Sequence, residues 1–188
     1  MKPDVEVSAV DEGVFRWATK VQITDKVKNH KQYLNVDGIV EGIDKLRLEA
    51  QTSMGIQVAS LVADNRNYSC QVYPQKAFYS SQAEAGSLKP LVKIDIHPLV
   101  LLRLLKGQRE LGDGWTCQTL GEMALLSCKN KEGVTVTEIE KSPSLRKVRV
   151  ESAKFELMWA ITDPPASLKP NPLLFQLEKK ESYKLIQL

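Results

Sequence analysis

Apolar and polar positions alternate with a period of two along most of the chain, the pattern of half-buried β-strands. In "FRWATKVQI" the alternation places Phe15, Trp17, Val21 and Ile23 on one face and Arg16, Lys20 and Gln22 on the other. "YLNVDGIV" sets Leu34, Val36 and Val40 against Asn35 and Asp37. After the turn Glu41-Gly42-Ile43-Asp44, "KLRLEA" sets Leu46 and Leu48 against Arg47 and Glu49. "GIQVASLVAD" continues the alternation, with Ile56 and Val58 on its apolar side, until Asp64-Asn65-Arg66-Asn67 turns the chain. "YSCQVY" and "AFYSS" read as shorter strands. From Trp115 onward the pattern resumes in "WTCQTL", "MALLSCK", "VTVTEIEK", "RKVRVES" and "FELMWAIT", then in "LLFQLE" and "YKLIQL". The total is roughly eleven strands, and the short turns between them favour antiparallel meanders over βαβ crossovers.

One segment breaks the period, "IDIHPLVLLRLLKGQRELGDG". Pro98 suits the first position of a helix, and Gly107 or Gly112 can end it. Leu99, Val100, Leu101, Leu102, Leu104 and Leu105 cover nearly the whole circumference of that helix. A helix that is apolar all round must be buried on several sides, so the sheet is expected to curve about it. His97, directly before Pro98, is expected to help start the helix rather than to catalyse. The first dozen residues are expected to add a short helix, and "TDPPASLKPNP" reads as a Pro-rich loop. No internal repeat or low-complexity segment appears.

Composition narrows the function classes. The 188 residues suit one domain, 1–188, with a sizeable core. A net charge of +3, with acids and bases mixed along the chain, is too weak a bias to argue for nucleic acid. No apolar run approaches the ~20 residues needed to span a bilayer. The opening "MKPDVEVSAVDEG" lacks the apolar segment of a signal peptide. The only histidines are His30 and His97, and the three cysteines form no CxxC pair. A zinc site would need four ligands at closer spacings, so no metal is expected. Cys117 and Cys128 read as facing positions on the hairpin "WTCQTLGEMALLSCK". With Glu122 and Met123 as its turn residues, the register sets the two opposite each other, as a disulfide or as two packed thiols. Cys70 is expected to be buried and inert.

Enzyme signatures are absent: there is no GxSxG elbow, Walker loop, GxGxxG or HExxH. Glu138, Glu140 and Glu156 sit in alternating strands and read as solvated faces. Trp17, Trp115 and Trp159 read more simply as core than as a ligand platform. The Lys-rich stretches "KVKNHK" and "KKESYK" read as solubilising turns. These features together argue for a binding or carrier protein without a cofactor rather than a catalyst.

The stretch "LRLEAQTSMGIQVASLVADN" poses a separate question, because it carries an exposed-looking methionine, Met54, in a polar turn before Gly55. It also opens a distinctive order of parts. An early meander leads to the "SMG" loop, then a strand running into "VADN", then a Leu-rich helix ending before a Trp. The remaining strands end in "LLFQLEKKESYKLIQL". From Phe15 to Leu188 this order resembles the LolA/LolB superfamily, the periplasmic carrier and outer-membrane receptor of bacterial lipoprotein sorting, and it is closer to the receptor, LolB.

The resemblance implies an incomplete antiparallel β-barrel with a buried Leu-rich helix in the concave face, beside an apolar cavity for lipoprotein acyl chains. Residues expected to line that cavity are Trp17, Val21, Val36, Leu48, Val58, Leu101, Leu102 and Leu105. Ser53, Met54 and Gly55 match the receptor's Pro-Leu-Gly loop that meets the membrane, with serine standing where the receptor has proline. The implied partners are lipoprotein acyl chains, a periplasmic lipoprotein carrier protein and the inner leaflet of the outer membrane, met by a monomer. A receptor's leader and anchor cysteine would precede Met1, placing the protein on the periplasmic side of the outer membrane; a carrier would be soluble in the periplasm. Burial of an acyl chain contributes ~0.8 kcal/mol per CH₂, so release needs a competing apolar destination, which a membrane supplies. The alternative reading is a protein-interaction or sensor module of the cell envelope on the same half-barrel, without lipid cargo.

Overall fold

A computed structural model describes residues 13–122, 125–142, 144–162 and 166–188, apart from the side chains of residues 105, 161 and 162. The helix expected in the first dozen residues lies outside the described part. The fold is mainly β: a large mixed, mostly antiparallel sheet of 13 strands, not closed into a barrel, with two short helices. Six strands come first: β1 (Val14–Asp25), β2 (His30–Glu41), β3 (Lys45–Thr52), β4 (Gln57–Ala63), β5 (Asn67–Val72) and β6 (Ala77–Gln82). Helices α1 (Lys89–Val92) and α2 (Pro98–Leu105) follow. The chain then returns as β7 (Trp115–Leu120), β8 (Leu125–Asn130), β9 (Thr135–Lys141), β10 (Leu145–Glu151) and β11 (Phe155–Thr162). It ends with β12 (Ala166–Leu168) and β13 (Lys184–Gln187).

Across the sheet the order is β13-β6-β5-β4-β3-β2-β1-β11-β10-β9-β8-β7, with β12 paired to the start of β1. Strand β1 is therefore the seam where the two meanders meet. Its Lys20–Asp25 half pairs with β11 and its Val14–Arg16 end with β12. Among the described residues only β13 on β6 is parallel. β12 falls inside the stretch expected to be a loop, and "LLFQLE" forms a 3-10 turn at Pro172–Phe175 instead of a strand. Asn171 accepts the Leu173 N–H at 3.0 Å and Pro172 follows it, a helix-type start that overrides the alternation of the apolar residues.

The alternation decides which face is buried. Trp17, Val21 and Ile23 of β1 join Leu34, Val36 and Val40 of β2 and Leu46, Leu48 and Ala50 of β3 in one core. In β4 the expected parity fails. A bulge shifts the register between Ala50↔Ala59 and Gln51↔Gln57, so Ala59, Leu61 and Ala63 face the core. Val58 is the extra residue of the bulge, half-buried at the core's margin, and Ile56 is exposed.

Helix α2 lies on this same face. Leu101, Leu102 and Leu104 are buried in the core that holds Trp17, Val36 and Leu48, and the helix packs against β3. Full burial of each leucine contributes roughly 2 kcal/mol. The opposite face of β3–β5 is covered by the C-terminal segment. Arg47 donates to the Leu174 and Gln176 carbonyls at 2.9 and 3.2 Å. Tyr73 meets Tyr183 edge-on at 6.2 Å, and Lys180 sits over the Tyr73 ring at 4.9 Å. On this face Ser60, Val62 and Gln71 are buried, although alternation alone would leave them to solvent. "KKESYK" is the exposed turn expected of it, and Lys180 and Tyr183 also pack on Tyr73.

Leu101→Ala, at a fully buried position, should cost about 3 kcal/mol of unfolding free energy in a urea titration. Met54→Ala, at an exposed turn, should leave the midpoint unchanged.

Candidate functional site

The candidate site is the helix-bearing face of the sheet. The structure brings six of the eight expected cavity residues, Trp17, Val21, Val36, Leu48, Leu101 and Leu102, into one buried cluster. Val58 sits at its margin, and the Leu105 side chain lies outside the described residues. Gly38 lies between Trp17 and Leu48 in the cross-strand register. A Cβ on Gly38 would stand 3.5 Å from Leu48 Cδ2 and 3.9 Å from Trp17 Cε3, so these two side chains close over the glycine.

Specific bonds hold α2 at both ends. His97 Nδ1 accepts the Leu99 N–H at 3.1 Å, capping the helix, while Nε2–H donates to the Ala83 carbonyl. At the other end Arg146 of β10 donates to the Leu104 carbonyl at 3.3 Å. Gly107, at φ 70°, turns the chain away, and Arg103 donates to the Leu111 carbonyl at 2.7 Å. The helix thus touches β3 and is tied to β10, strands four places apart in the sheet.

A second layer was not foreseen from the sequence. Leu88, Val92, Ile94 and Ile96 are all buried against the same core, around the single-turn helix α1. Its signal is present in "SLKPLVKIDI", where Pro90 sits in the first turn and Lys93 takes a left-handed φ of 63°. Beneath this layer Tyr68 donates to the Ser87 carbonyl at 2.5 Å. Burial pushes the Tyr68 phenol far above its ordinary range and the Cys70 thiol up to about 12, so both are neutral parts of the lining.

Two polar groups stand out in the apolar core. Trp17 Nε1–H is buried and reaches no acceptor among the described residues. Glu138, expected on a solvated face, is buried on the core side with Val134 and Val136. The β8–β9 ladder stops at Ser127↔Thr137, and the Glu138 carboxylate takes the Leu126 N–H at 2.9 Å in its place. A surface cavity of ≈ 440 Å³ opens beside Lys20, Asn35, Asp37 and Gln51, with Val36 also in its lining.

The Cys117–Cys128 pair sits in the register that the sequence implied, and the two are joined as a disulfide with Cα atoms 4.0 Å apart. The bridge ties edge strand β7 to β8, while Cys70 stays a buried free thiol. The expected membrane loop is a tight turn: the Thr52 carbonyl accepts the Gly55 N–H at 3.0 Å and Gly55 adopts φ 80°. Met54 at its tip is 81% exposed. No helix among the described residues is long and apolar enough to cross a membrane. No protein-family model matches the chain, and a search of curated proteins finds no match.

Two measurements check this description. The Cys70 contribution to stability is present below its unfolded value of 9.0 and is lost as pH rises toward about 12. Between pH 8 and 10.5 the wild type should therefore lose about 2 kcal/mol more than Cys70→Ala in urea titrations. Reducing the disulfide, which closes a loop of sequence separation 11, should cost at most about 3 kcal/mol without loss of the sheet's circular-dichroism signal.

Proposed function

We propose that the protein is a non-catalytic half-barrel carrier or receptor for lipoprotein acyl chains, of the kind found in the LolA/LolB superfamily, acting at the periplasmic side of the outer membrane. The observation that carries the reading is a continuous apolar face, plugged by a short helix, that holds one unpaired N–H at Trp17. A buried donor without a partner costs about 1–3 kcal/mol, and the ester carbonyl at the head of an acyl chain would satisfy it. The hydrocarbon tail would then replace α2 against Val36 and Leu48, like for like, so that exchange involves little net change in apolar burial.

Three further features support this reading. A sheet whose helix reaches both β3 and β10 fits a curved half-barrel. The Cys117–Cys128 disulfide fits an oxidising compartment such as the periplasm. Met54, which the resemblance matches to the receptor's membrane loop, is exposed at a turn tip and can provide the transient contact needed to release cargo.

A second reading, a protein-interaction module of the cell envelope, is favoured by edge strand β7. Its sequence WTCQTL carries no charge and no proline, so it lacks the usual guards against pairing with a partner's strand.

Titration with a fluorescent fatty-acyl ester separates the two. The wild type should bind it, and Trp17→Glu should abolish binding by placing an unpaired carboxylate in the core. Trp17→Phe should weaken the ester about two- to tenfold while leaving a plain hydrocarbon probe unaffected. Absence of any probe binding by the folded wild type would move the assignment to the interaction module.

A further inference from the structure

The end of the sheet that carries Met54 also gathers a second apolar tip and a set of unpaired lysines. Strand directions place the turns at 26–29, 53–56, 73–76 and 152–154 together at this end. Val27 tips the first of these turns and is 75% exposed. Ile56, beside Met54, is 58% exposed. Leu34 pairs with Thr52, so Tyr33 lies one residue past the end of β3, level with the Met54 turn, and is 57% exposed. Single exposed apolar residues are ordinary, but four of the most exposed ones among the described residues sharing one end are not.

Two backbone donors at each tip are satisfied internally. Asp25 Oδ1 accepts the Val27 and Lys28 N–H groups, each at 3.0 Å. Thr52 takes the Gly55 and Ile56 N–H groups at 3.0 and 3.1 Å. Such tips can leave water without stranding those groups. Lys28, Lys31, Lys76 and Lys154 flank them, all exposed and none with a carboxylate partner among the described residues. Of the carboxylates at this end, Asp25 caps its own turn, Glu151 holds Lys26 at 3.1 Å and Glu132 lies 3.7 Å from Lys131, while Asp113 is exposed ahead of β7. The turns at the opposite end carry Asp44, Asp64 and Arg66, with Asp64 capping its own turn as Asp25 does.

We infer that this end of the sheet is a docking surface for a phospholipid bilayer with anionic headgroups. Val27, Met54 and Ile56 enter the interface and the four lysines meet headgroup phosphates. This extends the Met54 contact of the proposed function to two hairpins and a charge selection, and it requires no acyl cargo. A hairpin tip alone would meet any membrane; the lysines make the surface prefer an anionic one.

Co-sedimentation of the full chain with vesicles tests the inference. Vesicles of equal parts phosphatidylglycerol and phosphatidylcholine should bind the protein, with the bound fraction falling as salt rises, and pure phosphatidylcholine should bind much less. Val27→Glu and Met54→Glu should each lower partition about tenfold or more. The pair Lys28→Gln, Lys31→Gln should lower it about tenfold on the anionic vesicles only. A urea midpoint equal to wild type shows that each variant is folded; Val27→Ser substitutes for Val27→Glu if that one is not. Three results would overturn the inference: no binding to either vesicle, equal binding to both, or wild-type partition by a folded Val27 variant. The vesicles carry no lipoprotein, so any of these leaves the acyl-chain reading to its own probe titration. Loss of probe binding would likewise leave docking intact.

Discussion

A helix that is apolar around nearly its whole circumference has to be enclosed, and the rest of this structure depends on how that is done. Leu101, Leu102 and Leu104 cannot all face one sheet layer, so the second layer of Leu88, Val92, Ile94 and Ile96 packs around the same core. The meanders on either side of β1 present one parity of side chains to the helix, and Gly38 lets Trp17 and Leu48 close beneath it. Bonds at the helix ends fix its place without adding side-chain bulk. His97 caps one end and Arg146 reaches the carbonyl at the other.

The same arrangement bears on function. Helix and sheet meet through aliphatic side chains, which have no directional preference, so a hydrocarbon chain of similar width is an equivalent partner for the sheet. The directional groups in that core are few: Tyr68 and Glu138 have backbone partners, whereas the Trp17 indole N–H has none among the described residues. The proposed carrier role follows from that contrast. Packing gives no selectivity among apolar guests, and a single unpaired donor favours one that brings an acceptor. Chemistry at the ends of the sheet is separate from this core, since the tips around Val27 and Met54 are set by turn geometry and charge.

Much of this was legible in the sequence. Period-two alternation gave the core faces of β1, β2 and β3, and Pro98 with Gly107 bracketed the helix almost to the residue. The Cys117–Cys128 register followed from hairpin symmetry. What escaped depends on interactions that are not local. The bulge at Val58 reverses the parity of β4 by one residue, which turns Ile56 outward, and no composition signal marks it. Glu138 looks like a surface carboxylate until the β8–β9 ladder ends and leaves the Leu126 N–H to be satisfied. Ser60 and Gln71 are buried on the face where Arg47 bonds the Leu174 carbonyl, 127 residues away in sequence. Val27 hides inside a run of lysines that reads as a solvated turn, and its partner Met54 becomes visible only once strand directions place the two tips at the same end.

The central claim is that the helix-bearing face holds acyl chains. Native mass spectrometry of the protein purified from cells, with gentle activation to release bound molecules, tests it most directly. The account predicts the 21.1 kDa chain accompanied by adducts that dissociate as acyl lipids, and their loss in folded Trp17→Glu. A spectrum of the bare chain alone, unchanged after incubation with diacyl lipid, would contradict it.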